Sequence, residues 1–191
     1  MEFDIELAGG TLPEISTRAT LLELADSYPL DRYVVTHRIR VEADAHPHSH
    51  PVLTLNAAHQ REPLPLLAQL IHEEMHWALM TQGGGVAARR ALLESLQIRF
   101  PGMPVARPDG SGDITSTYFH IAVCAMEFDV LTRLVGAGDA EKLVRERAMR
   151  FYGAVYDLVL CQQPDILTIL AEWGGEAFWV HPGCPEQTTG E

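Results

Sequence analysis

The segment from Leu70 to Met80 constrains this chain more than any other, because it sets His72-Glu73-x-x-His76 inside an apolar, helix-forming run. On a helix, residues four apart share a face, so His72 and His76 can present two imidazoles to one metal ion. Glu73 lies about 100° around the helix, within reach of a water at that ion as general base. Turning the helix also brings Ala68, Met75 and Leu79 beside the histidines, which predicts a dry wall around the metal. Pro63 and Pro65 precede the segment and Gly83-Gly84-Gly85 follows it, so a helix over 65–81 is expected. An ordinary amphipathic helix with exposed histidines and glutamates fits poorly, since Met75 and Leu79 would flank its solvated face.

The stretch before this helix reads as a small sheet. Residues 1–14 suggest a strand or an extended lead-in, and residues 16–27 a short helix with Leu21, Leu22 and Ala25 on one face. Ile39 and Val41 alternate with Arg38, Arg40 and Glu42, and Leu53 and Leu55 alternate again in 51–57. Strands over 33–43 and 51–57, joined by a turn at 44–50, are expected to pair as antiparallel neighbours. Everything after the motif reads as helical: 86–98, 114–135 with Asp113 or Thr115 as cap, 140–162, and a last short helix from Pro164 to Trp173. Pro101 to Gly112 is a loop, and 182–191 a loose tail. The expected class is therefore α+β, a small N-terminal antiparallel sheet followed by a helical bundle, in one domain over 1–181.

Charge and cysteines limit the partners. The formal net charge is −12, from 14 basic and 26 acidic residues, which argues against nucleic acid or an anionic membrane surface. No apolar run approaches the roughly 20 residues that span a bilayer. The start Met1-Glu2-Phe3-Asp4 lacks the basic and apolar regions of a signal peptide. Cys124, Cys161 and Cys184 form no C-x-x-C pair, so a reduced, cytoplasmic setting is expected.

The motif His72-Glu73-Glu74-Met75-His76 resembles the active-site helix of the zincin metallopeptidases. The resemblance covers this helix, a preceding strand and one later helix, and it implies a zinc-dependent hydrolase with three protein ligands. The metzincin extension is excluded, because Leu79 and Gln82 stand where its glycine and third histidine belong. A ferritin-like di-iron pattern fails as well, since Val130 stands three residues after Glu127. The gluzincin pattern, with a glutamate ligand on a later helix, fits best. Ser116, His120, Cys124, Glu127 and Leu131 form one stripe of the 114–135 helix, within about 80° of one another. By this resemblance Glu127 is the third zinc ligand. His120 takes the place of a tyrosine that some gluzincins use to hydrogen-bond the oxyanion. The reverse arrangement stays open, with His120 on the metal and Glu127 behind it. Many gluzincins also carry an aspartate one turn after the glutamate to orient the first histidine; Leu131 occupies that position, so a partner for His72 must come from elsewhere.

The remaining histidines carry less. His46-Pro47-His48-Ser49-His50 contains breakers that argue for a polar turn at the rim of the site. An H-x-H amidohydrolase would need a barrel of about 250 residues. His37 and His59 receive no role; His181, between Phe178-Trp179-Val180 and Pro182, offers a second oxyanion helper, with a structural role favoured for a lone aromatic-flanked histidine. The zincin resemblance also implies an edge strand beside the cleft that pairs with an extended peptide; either 33–43 or 51–57 could serve, and 51–57 is favoured because it leads directly into the motif helix. The resulting expectation is a zinc hydrolase acting on a peptide or a small amide or ester. A non-catalytic zinc fold and an acidic protein-interaction module are the alternatives.

Overall fold

The computed structural model describes residues 2–81 and 85–174. The elements are β1 (Asp4–Leu7), α1 (Leu12–Ser27), a short 3-10 turn (Leu30–Arg32), β2 (Arg38–Val41), β3 (Leu53–Leu55), α2 (Pro63–Thr81), α3 (Gly85–Arg99), α4 (Ile114–Val135), α5 (Ala137–Ala148) and α6 (Gly153–Gly174). His181 and the tail at 182–191 lie outside the described residues.

The sheet corrects the expected fold class. Its three strands run in the order β1-β2-β3 and both pairs are parallel, with Ile5 opposite Ile39 and Ile39 opposite Leu53. The molecule is mainly helical, with a small parallel sheet in place of an antiparallel one. Two connections explain this. The chain crosses from β1 to β2 through α1, as parallel neighbours require. Between β2 and β3 it does not turn tightly. The segment around His46–His50 runs back along β3 and makes the antiparallel contact itself, at His48 with Thr54. The expected reversal is thus used up inside the loop, and β3 emerges parallel to β2.

The helices follow their local signals. Thr11 and Glu14 form a capping box at the start of α1. Asp113 caps α4, accepting a hydrogen bond from Ser116 N at 2.8 Å, and Gly136 ends it with φ 85°. A single helix over 140–162 does not form. α5 stops at Ala148, and α6 starts at Gly153 and continues across Pro164 with non-helical geometry at Gln162.

One apolar core joins these layers. Ile39, Val41, Leu53 and Leu55 from the sheet are fully buried against α1 and α2. α4 packs against α2, α3, α5 and α6 and buries Ile121, Ala122, Val123, Ala125 and Leu131. α2 is buried at every position from Leu66 through Met75. Its polar residues Gln69, His72, Glu73 and Glu74 therefore sit inside the protein, where each needs a partner or a function.

Candidate metal centre

Glu74 is a structural member of the motif. Its Oε2 accepts backbone hydrogen bonds from Val35 at 2.8 Å and Thr36 at 3.2 Å, which fastens the lead-in of β2 to α2. Burial pushes its carboxyl up to about 7 against those two hydrogen bonds.

His72 and His76 project from α2 toward His120 on α4. The ligand atoms of these three residues all lie within 4.8 Å of one another. A tetrahedral zinc at about 2.0–2.1 Å from each nitrogen sets its ligand atoms roughly 3.4 Å apart, so small side-chain adjustments suffice. The two helices cross in opposite directions: His76 stacks near Phe119, with ring centres 5.7 Å apart, while His72 reaches Glu127.

Two of the three imidazoles are oriented from behind. Nδ1 of His120 donates to the Ser116 carbonyl at 2.7 Å. Nδ1 of His72 donates to Glu127 Oε2 at 2.8 Å. In each ring this leaves Nε2 with its lone pair for a metal. Burial lowers the basicity of all three. His76 falls to about 2 through burial and then through His72 and His120, while His72 and His120 are lowered chiefly by burial. Neutral imidazoles are the protonation state that ligates. The donor set therefore fits zinc.

Glu127 is placed differently from the resemblance-based expectation. It is fully buried, and its Oε2 also accepts from the Tyr156 hydroxyl at 2.8 Å. Its Oε1 lies 3.2 Å from Arg147 Nε. Burial raises its pKa, against the opposing pull of Arg147 and Tyr156. The described residues bring His120, not Glu127, together with both histidines of α2. Glu127 supplies the carboxylate behind His72 for which Leu131 left no candidate. A second cluster, His72–Cys124–Glu127, also falls within 4.8 Å. It suits a metal less well, because Glu127 is already engaged by His72, Tyr156 and Arg147.

The three imidazoles open into a cavity of about 830 Å³ that is also lined by Glu73, Arg147 and Tyr152. Glu73 is 7% exposed, and burial, ahead of the neighbouring charges, raises its carboxyl to about 8. Tyr152 stacks on His120 with ring centres 4.2 Å apart, and its backbone φ is 58°. Burial raises its hydroxyl to about 12, so it remains a proton donor at neutral pH.

Sequence reasoning missed Tyr152, Tyr156 and Arg147. The helix break at 149–152, marked only by Gly153, is what turns Tyr152 into the cavity. His46, His48 and His59 line the same cavity. These do not converge on a metal among the described residues, and His59 pairs with Glu62 at 3.0 Å. His50 stacks on Trp77 with ring centres 4.0 Å apart. His37 is exposed, with Nδ1 3.2 Å from the Glu2 carbonyl. The free edge of β3 is covered at Thr54 by His48, so the expected strand pairing with a peptide finds that position taken.

No family model, curated protein or solved structure matches the chain.

Proposed function

We propose that the protein is a zinc-dependent hydrolase of amide bonds, with zinc held by His72, His76 and His120. The convergence of three imidazoles, His72 and His120 buried and His76 half-buried, all with lowered basicity, on an open cavity beside Glu73 carries this reading. Zinc, when bound, supplies Lewis acidity toward a carbonyl and lowers the pKa of water. As the carboxylate, which a bound cation beside it would favour against the pull of burial, Glu73 accepts a proton from the water that attacks the scissile carbon and delivers it to the departing amine. The Tyr152 hydroxyl donates a hydrogen bond to the oxygen that gains charge, the role that His120 leaves on becoming a ligand. Glu127 holds the His72 ring and its tautomer, and is itself held by Tyr156 and Arg147.

A non-catalytic zinc site is disfavoured by the same geometry. Structural sites are closed by four protein ligands, whereas here three imidazoles face a cavity. A cytoplasmic setting fits the free thiols of Cys124 and Cys161. Among the described residues, no helix is long and apolar enough to cross a membrane. Glu73→Gln tests the mechanism. It is expected to keep zinc and the fold while amide turnover falls by about 10²–10⁴-fold; a variant with unchanged kcat contradicts the role given to Glu73.

A further inference from the structure

Arg147 has a free edge that the mechanism above does not use. Its Nε donates to the Tyr156 hydroxyl at 3.0 Å and lies 3.2 Å from Glu127 Oε1. Among the described residues no protein group hydrogen-bonds Nη1 or Nη2, and neither atom is sealed from solvent. The side chain is 20% exposed and lines the cavity together with the metal-binding histidines. The guanidinium is thus clamped on one side and open on the other, toward the space where a substrate would sit.

A planar fork of N–H donors matches a carboxylate in two parallel hydrogen bonds. Clamping removes most of the rotamer entropy that such a contact otherwise costs. Arg150 also lines this cavity, so positive charge continues outward in a chain whose net charge is −12. Three acids, Glu62, Glu73 and Glu146, line it as well, and Glu62 is paired with His59. The covered edge of β3 points the same way. A long extended peptide has no strand edge to join at Thr54, whereas a short substrate fixed by a charged end needs none.

We infer that Arg147 is a specificity-determining residue that binds a free carboxylate of the substrate, next to the amide that is cleaved. The substrate class is then N-acyl amino acids, or peptides cut beside their C-terminal residue. This inference rests on the metal centre proposed above.

The test measures binding, not turnover. N-(3-mercaptopropanoyl)glycine and its glycinamide counterpart are titrated calorimetrically into zinc-loaded protein, as are the matching pair one glycine longer. In every probe the thiol addresses the zinc, while only the acids address Arg147. The expected result is that one of the acids binds at least tenfold tighter than its amide, and that Arg147→Gln reduces this ratio to near one. Equal binding of acid and amide at both lengths, by wild-type protein, overturns the carboxylate site and leaves the metal centre standing. An acid preference that survives intact in Arg147→Gln also overturns it. Failure of all four probes to bind, or failure of the protein to hold zinc, overturns the metal centre and the inference together. Equal binding in wild-type protein overturns the site whether or not the variant folds; if Arg147→Gln does not fold, Arg147→Lys, which loses the planar fork, takes its place and is expected to lower the ratio, and an unchanged ratio overturns the inference.

Discussion

Tyr152 has a left-handed backbone conformation, with φ 58°, that bulky side chains rarely adopt. Such strain costs on the order of 1–3 kcal/mol and persists only where surrounding contacts hold it. Here the ring is held against His120 and lies 5.8 Å, centre to centre, from that of His72. Removing only the hydroxyl leaves that stacking in place. Tyr152→Phe is expected to keep zinc and the melting temperature while kcat falls by about 10²-fold or more, as for the loss of one oxyanion donor. Steady-state kinetics beside a zinc assay checks this, and a fall in zinc content would instead assign the residue to the metal's support.

At the same scale, the roles of His120 and Glu127 were only half legible. Their spacing of seven residues puts both on one face of α4, as the sequence implies. It does not say which is level with the two histidines of α2. The helices cross in opposite directions, so His120 meets His72 and His76, while Glu127 lies about 10.5 Å further along the axis. There it meets Nδ1 of His72. Register between two helices is a property of packing, which a pattern within one helix does not contain.

Among the elements, α1 is tied to the sheet through one carboxylate. Glu14 is 2% exposed and accepts hydrogen bonds from the backbone of Gly9 at 3.0 Å, Thr11 at 3.1 Å and Ala43 at 3.1 Å. Burial alone would raise its pKa, but these N–H groups outweigh burial and hold it below the ordinary value of 4.5. A lowered folded-state pKa contributes stability that is present above about 4.5 and is lost as pH falls through the folded value. Glu14→Gln keeps one acceptor oxygen and turns the other into a donor that faces N–H groups. It is expected to lower stability at pH 7 and to flatten the acid limb, as read by urea unfolding from pH 7 down to pH 3. Equal slopes for both proteins would contradict this.

Element boundaries were legible where the chain carries punctuation. α4 begins after the Asp113 cap and ends before Gly136, as its sequence predicts. The break between α5 and α6 was not, because Arg147 to Tyr152 contains neither proline nor glycine and its helical pattern reads as continuous. There the tertiary placement of Tyr152 overrides local preference.

For the whole molecule, strand direction was the feature least available to sequence reasoning. Alternation in 33–43 and 51–57 identifies which residues face the core, and Ile39, Val41, Leu53 and Leu55 do so. It carries no information on direction, which depends on the path of the loop between them. The proposed metal centre would also act at this scale, since its candidate ligands come from both α2 and α4. Zinc at about 100 times its Kd stabilises the folded state by about 2.7 kcal/mol. For a chain of this size that corresponds to a rise in Tm of roughly 5–10 °C. Scanning calorimetry with zinc and with a chelator checks this, and coincident transitions would contradict a metal joining these helices.

The central claim is that His120 ligates the zinc and Glu127 stands behind His72. Elemental analysis of zinc in wild-type protein, His120→Ala and Glu127→Gln, each dialysed against the same free zinc concentration, tests it most directly. The account predicts about one zinc per wild-type chain and loss of stoichiometric zinc in folded His120→Ala. It predicts retention in Glu127→Gln at saturating zinc, with affinity weakened by about 10–100-fold. Retention of full zinc by His120→Ala, together with its loss from a folded Glu127→Gln, would return the third ligand to Glu127 and contradict the account.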